Sequence, residues 1–323
     1  MSGHRLRGID LATLAYVGVA TVAGLRPVSD DAIGERASLI AVHALLVVLV
    51  LLAPRARAAG PIGRFLGEWY PLLLLPGLYG EVHVLTVHAG FQNERCIQQL
   101  EGWVFGSQVS YRWIRAQPSR LLSWTLHICY LAYYPILYGS PLGLWLGGRR
   151  EASRQTIFAI MVTFYLCYAS FLFFPVAGPR YAVDIAHNVA TAVWPARVAA
   201  WLIDHGDSWG AAFPSSHVAG AVVATGMALQ HWRRLGLALL PFTIGLIPAT
   251  IYGQFHYGVD ALAGLAVAAL VLVAMQSAES GAQDRVGQRI SANSPATSRT
   301  CAPVRRQPPR AWVALLRRRS LGR

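Results

Sequence analysis

The chain has 323 residues, 54% hydrophobic and 13% charged, and its 28 basic residues are all arginine, giving a formal net charge of +13. With no lysine in the sequence, Schiff-base lysine catalysis, the G-K-S/T phosphate loop and the strand lysine of kinases are excluded. A soluble domain carries roughly 25% charged residues, so this composition describes a helical membrane protein rather than a nucleic-acid binder, and the exclusive use of arginine points to a GC-rich bacterial genome.

About 20 apolar residues cross a bilayer as a helix. Stretches near 9–25, 37–53, 69–90, 121–147, 156–176, 213–231, 235–253 and 257–276 approach that length, predicting an all-α, polytopic bundle of about eight spans. The first follows His4, Arg5 and Arg7 and has small residues near Ala23, as a signal peptide would, but with seven more behind it a retained span is expected. Residues 91–119 mix Trp103, Phe105, Tyr111 and Trp113 with Arg95, Arg112 and Arg115, a composition suited to helices lying in the membrane interface. A second long connection, 178–212, runs from Gly178-Pro179-Arg180 to Phe213-Pro214-Ser215-Ser216-His217. Residues 277–323, rich in Ser, Ala, Gln, Pro and Arg, read as a disordered basic tail, with Ala311 to Leu316 near the inner leaflet.

Arginine enrichment orients the spans, because cytoplasmic loops carry it. With the amino terminus inside, twenty arginines fall inside, ten of them in the tail, and eight fall outside with most loop carboxylates, among them Asp30, Asp31, Glu35, Asp204 and Asp207. Both termini are therefore expected in the cytoplasm of a bacterial inner membrane. Cys96, Cys129, Cys167 and Cys301 have no close spacing, so neither a disulfide framework nor a zinc knuckle is indicated.

Three signals carry chemistry. His256-Tyr-Gly-Val-Asp260 spaces an imidazole and a carboxylate by about one helical turn, so Asp260 can fix the tautomer of His256. Burying Asp260 in a span costs about 2.5–3.5 kcal/mol, which is usually tolerated where the group has a partner or a function. Pro214-Ser215-Ser216-His217 opens an apolar run, and a helix start offers free N–H groups to a phosphate and a histidine placed to protonate a leaving oxygen. Arg180 ends the fifth span, where a guanidinium can clamp two phosphoryl oxygens. Each has a plain alternative: an ordinary helix cap, a snorkelling arginine or a structural pair. The topology nonetheless puts all of them on the extracytoplasmic side, and phosphoryl transfer there requires no metal or cofactor. Glu81, His83 and His88 in the third span line a headgroup cavity or form an internal cluster, while His43 and His127 read as structural.

The order arginine, Pro-Ser-x-His, His-x3-Asp resembles the type 2 phosphatidic acid phosphatase superfamily over about residues 93–275. The stretches Gln98–Gly106, Tyr130–Tyr134 and Asp260–Gly264 are most similar to its inositol phosphorylceramide synthase-like branch. The resemblance implies a six-helix catalytic core within 69–276, preceded by amino-terminal transmembrane helices over 1–68 and followed by the tail. It also implies that His256 is nucleophile or base, Asp260 orients it, His217 is the acid, and Arg180, Ser215 and Ser216 bind the phosphate. Two cations of the phosphatase pattern are absent: Phe173 stands in the lysine position and Thr250 in an arginine position, while Tyr181 replaces the proline after the first arginine. Fewer cations suit a singly charged phosphodiester better than a monoester, unless Arg197 or another interfacial arginine supplies the charge.

The expected activity is transfer of a phospho-headgroup, phosphoinositol-like, from a phospholipid donor to a lipid alcohol, as in sphingolipid metabolism. The nearest alternative is a phosphatase acting on lipid phosphates or isoprenoid pyrophosphates with water as acceptor. A transporter or proton pathway would depend on Glu81 and His83 instead of the two site histidines, a zinc site would use those histidines with a carboxylate, and Pro-Ser-Ser-His is a poor match to a serine protease nucleophile.

Overall fold

The computed structural model describes residues 5–26 and 33–292, and these form helices and loops with no strand. The helices are α1 (Gly8–Gly24), α2 (Ile33–Ala58), α3 (Pro61–Thr86), α4 (Glu94–Phe105), α5 (Val109–Ala116), α6 (Arg120–Leu131), α7 (Tyr133–Leu146), α8 (Arg150–Phe173), α9 (Pro179–Ala182), α10 (Trp194–Gly206), α11 (Ser216–His231), α12 (Arg233–Tyr252) and α13 (Gly258–Ala292). The chain divides into two units, Met1–Ala278 and Glu279–Arg323. The second is described only to Ala292, where α13 ends, so 277–292 is helical although disorder was expected there. Ala311 to Leu316, Cys301 and the tail arginines beyond Arg289 lie outside the described residues, as do Asp30 and Asp31, and the side chains of Glu35, Arg36, Arg285 and Arg289 are likewise not described.

Among the described residues, five helices are long and apolar enough to cross a bilayer: Ala37–Ala58, Pro61–Ala89, Arg150–Phe173, Arg233–Tyr252 and Gly258–Gly281, with Gly8–Gly24 apolar but shorter. This is an integral membrane protein. Three of the eight expected stretches fall short of that length: 9–25 and 213–231 yield helices of 17 and 16 residues, and 121–147 is two helices with a turn at Ala132. Pro135 explains the break, since it has no N–H for the Leu131 carbonyl and its ring crowds that group.

Helices α1, α2, α3, α7, α8 and α11 share one apolar core with residues of α12 and α13. At one end, Arg57 bonds the buried Asp10 carboxylate together with Tyr70, and Arg7 and Arg154 both reach the buried Glu68. These pairs tie α1, α2, α3 and α8 together at the end that holds the arginines expected inside. At the opposite end, Arg26 donates to the Leu172 carbonyl at 2.7 Å. In mid-bundle, His43 Nε2 donates to the Glu81 carboxylate at 3.0 Å, and His43 Nδ1 meets Thr21 at 2.8 Å.

Two close approaches position the functional end. A Cβ on Gly264 would lie 2.5 Å from the Ser215 carbonyl oxygen, so only glycine lets α13 pass this close to the start of α11. Gly178, at φ +91°, turns the chain into α9 in a conformation that disfavours side chains. The segments on either side of α10 are joined backbone to backbone: Val176 N–H donates to Gly210 and Ala212 N–H donates to Val176. Ser215 N–H in turn donates to the Asp260 carbonyl at 2.9 Å. Three loops distant in sequence thus become one rigid floor.

Candidate active site

His256 sits in the turn between α12 and α13, buried at 4% exposure. Thr250 O accepts the N–H groups of both Phe255 and His256, and Gln254, in the left-handed region at φ +60°, receives Ala186 N–H on its side chain. The turn is therefore held from both sides. His256 Nδ1 lies 3.0 Å from the Ala212 carbonyl and 3.6 Å from Asp260 Oδ2. A carbonyl can only accept, so Nδ1 carries the proton and Nε2 keeps its lone pair. Nε2 faces His217 Nδ1 at 3.4 Å. Asp260 is fully buried, its Oδ2 accepting Tyr257 N–H at 2.8 Å, while its Oδ1 has no partner among the described residues.

His217 opens α11, whose first turn is capped by the Ser215 hydroxyl accepting Val218 N–H. Its ring lies against Tyr133 at 4.5 Å and is stacked with Tyr130 at 5.5 Å between centroids. His217, His256 and Arg180 all line one small cavity. This adjoins a cavity of about 560 Å³ that also contains His217 and runs between α3, α7 and α8 past Leu75, Leu137, Phe164 and five tyrosines of α6, α7 and α8. Arg180 is ion-paired with Asp204 of α10.

The structure thus brings together Arg180, His217, His256 and Asp260, and puts Ser216 on the wall of the larger cavity. Ser215 is buried and spends its side chain on the helix cap. Of the third-span residues, His83 lines the larger cavity, Glu81 faces away to His43, and His88 is exposed. Phe173 is 54% exposed beneath the Arg26 guanidinium, outside both cavities, and Thr250 is buried with its hydroxyl bonded to the Ile247 carbonyl. Arg197 lines a separate hollow with Trp194, Val198 and Trp201. Among the described residues, Arg180 is the one arginine lining either site cavity.

The supporting carboxylates were not picked out by sequence reasoning. Glu94 accepts Ala177 and Gly178 N–H at 2.9 and 3.3 Å and the Tyr257 hydroxyl at 2.5 Å. Glu101 accepts Val259 N–H at 3.0 Å. Helix α4, expected to be interfacial, therefore braces the loops that carry Arg180 and His256. Burial and the bond to Glu94 push the Tyr257 phenol well up from its usual range, which keeps it a donor. The available signal was the stripe Glu94, Ile97, Glu101 on one helical face, all buried. Glu94→Ala leaves three donors without their acceptor, two of them amides, at about 1–3 kcal/mol each. Detergent-solubilised protein carrying it is expected to melt well below wild type and to turn over more slowly; an unchanged melting curve would contradict the bracing role.

The family model described as PAP2 superfamily matches residues 97–274, more than half of the chain. No curated protein and no solved structure matches.

Proposed function

The chain belongs to the PAP2 superfamily, the type 2 phosphatidic acid phosphatases, and from this premise we propose that it is a lipid phosphotransferase that moves a phospho-headgroup from a phospholipid to a lipid hydroxyl. Membership supports a membrane enzyme of the lipid phosphatase or phosphotransferase type. The observation that favours transfer from a diester is the single guanidinium, among the described residues, in a cavity that continues into a long aromatic and apolar slot. A phosphodiester carries one negative charge where a monoester carries nearly two, and one paired arginine suits the former.

In this reading Arg180 holds two phosphoryl oxygens and the Ser216 end of α11 lies beside them. His256 Nε2 attacks phosphorus, forming an N–P bond as the P–O bond to the diacylglycerol breaks, and His217 gives its proton to the departing oxygen. Nδ1 of His256, bonded to the Ala212 carbonyl and close to Asp260, bears the positive charge that develops on the ring. The acceptor hydroxyl then loses its proton to His217 while its oxygen takes the phosphorus from His256. In-line displacement puts the leaving oxygen on the far side of phosphorus from Nε2, so His217 must swing away from its 3.4 Å contact when donor binds. In this reading the catalytic end faces away from the cytoplasm, a side supported by the arginine enrichment of the loops at the other end.

Purified protein supplied with phosphatidylinositol and a long-chain lipid alcohol is expected to release diacylglycerol and to form the alcohol's phosphoinositol ester. Release of inorganic phosphate from phosphatidic acid, with no product from the pair, would replace this reading by the phosphatase.

A further inference from the structure

We propose that Asp207, with Asp204 beside it, sets the charge of the donor, admitting a phosphate with one negative charge and turning away one with two. This deepens the phosphotransfer reading and rests on it. Asp207 follows α10 and lines both cavities, at the junction where His217 also sits. Its Oδ1 accepts the Tyr79 hydroxyl at 2.7 Å, and the Tyr181 phenol lies close enough to feel its charge. Burial and the neighbouring Asp207 carboxylate push Tyr181 up to about 12, so that phenol stays protonated. No basic group lies within ion-pair distance of Asp207 among the described residues. The one arginine of the site is already paired with Asp204.

A phosphate seated against Arg180 and His256 therefore meets one guanidinium, itself paired from outside the cavity by Asp204, and the Asp207 carboxylate. A singly charged diester is balanced by Arg180, and its headgroup hydroxyls can donate to Asp207. A second charge on phosphorus has no cation left to meet and faces Asp207 in a cavity walled by tyrosines, where water screens poorly; such a contact weakens binding on the order of tenfold or more. Asp207 is thus assigned a role in choosing the donor, separate from bond making. A structural role alone would follow from its bond to the Tyr79 hydroxyl, and the asparagine variant separates the two roles, because its amide oxygen still accepts that bond.

The test uses the full chain in lipid nanodiscs, measuring kcat/KM for phosphatidylinositol and for phosphatidic acid in wild type, Asp207→Asn and Asp204→Asn. In Asp207→Asn the ratio is expected to move at least tenfold toward phosphatidic acid, through a lower KM for the monoester, with melting unchanged. Asp204→Asn, which frees Arg180, is expected to shift the ratio the same way. A wild type that uses the diester, with ratios unmoved in both variants or both substrates falling in parallel, overturns this inference alone. A wild type that turns over only phosphatidic acid overturns the phosphotransfer reading, and this inference with it.

Discussion

Substituting His256 by asparagine is expected to reduce lipid turnover by about 10⁴-fold or more, because it removes the nucleophile that forms the N–P bond, while leaving the fold intact. Asparagine can donate to the Ala212 carbonyl from the same place, so the turn between α12 and α13 keeps its anchor, but it offers no lone pair to phosphorus. The companion experiment quenches wild type mid-turnover with labelled donor and looks for phosphate on the protein. Label lost on acid treatment, kept in base and absent from His256→Asn is expected for an N–P bond. A variant that keeps more than a tenth of the activity would remove His256 from the reaction.

The second large effect is at His217. His217→Asn is expected to cost about 10²–10⁴-fold on a phospholipid donor, the range for a lost general acid. The loss should shrink sharply with a donor whose leaving group is nitrophenolate, which departs without a proton. Two neighbouring tyrosines confine the ring, so a simple packing role is the competing explanation. Packing damage would slow both donors equally, and an equal loss would therefore count against the acid role.

Much of this arrangement could be read before the fold. Five of the eight expected spans follow from apolar length alone, and His256-x3-Asp260 and Pro214-Ser-Ser-His217 are local patterns whose chemistry survives any packing. The break at Ala132 was also legible, since Pro135 forbids a continuous helix there, yet an unbroken apolar run outweighed it. The extension of α13 to Ala292 was hidden by polar composition, although Ala, Gln, Glu and Arg are good helix formers and the first proline after the span is Pro295. Glu94 and Asp207 were out of reach for another reason. Glu94 gains its meaning from amides at 177 and 178 and a hydroxyl at 257, and Asp207 from Tyr79, more than a hundred residues away. Distances of that kind exist only once the three loops are joined. The Asp204 pairing of Arg180 likewise recasts the missing cations: the site is poorer in positive charge than the absence of lysine at position 173 alone implied.

The most direct test of the central claim is to incubate the purified protein with a mixed phospholipid extract containing phosphatidic acid and lipid alcohols, and to follow every species by mass. Depletion of one diester phospholipid, matched by diacylglycerol and by a lipid alcohol heavier by that headgroup phosphate, is the expected result. Depletion of phosphatidic acid with stoichiometric inorganic phosphate, every diester remaining constant, would contradict it.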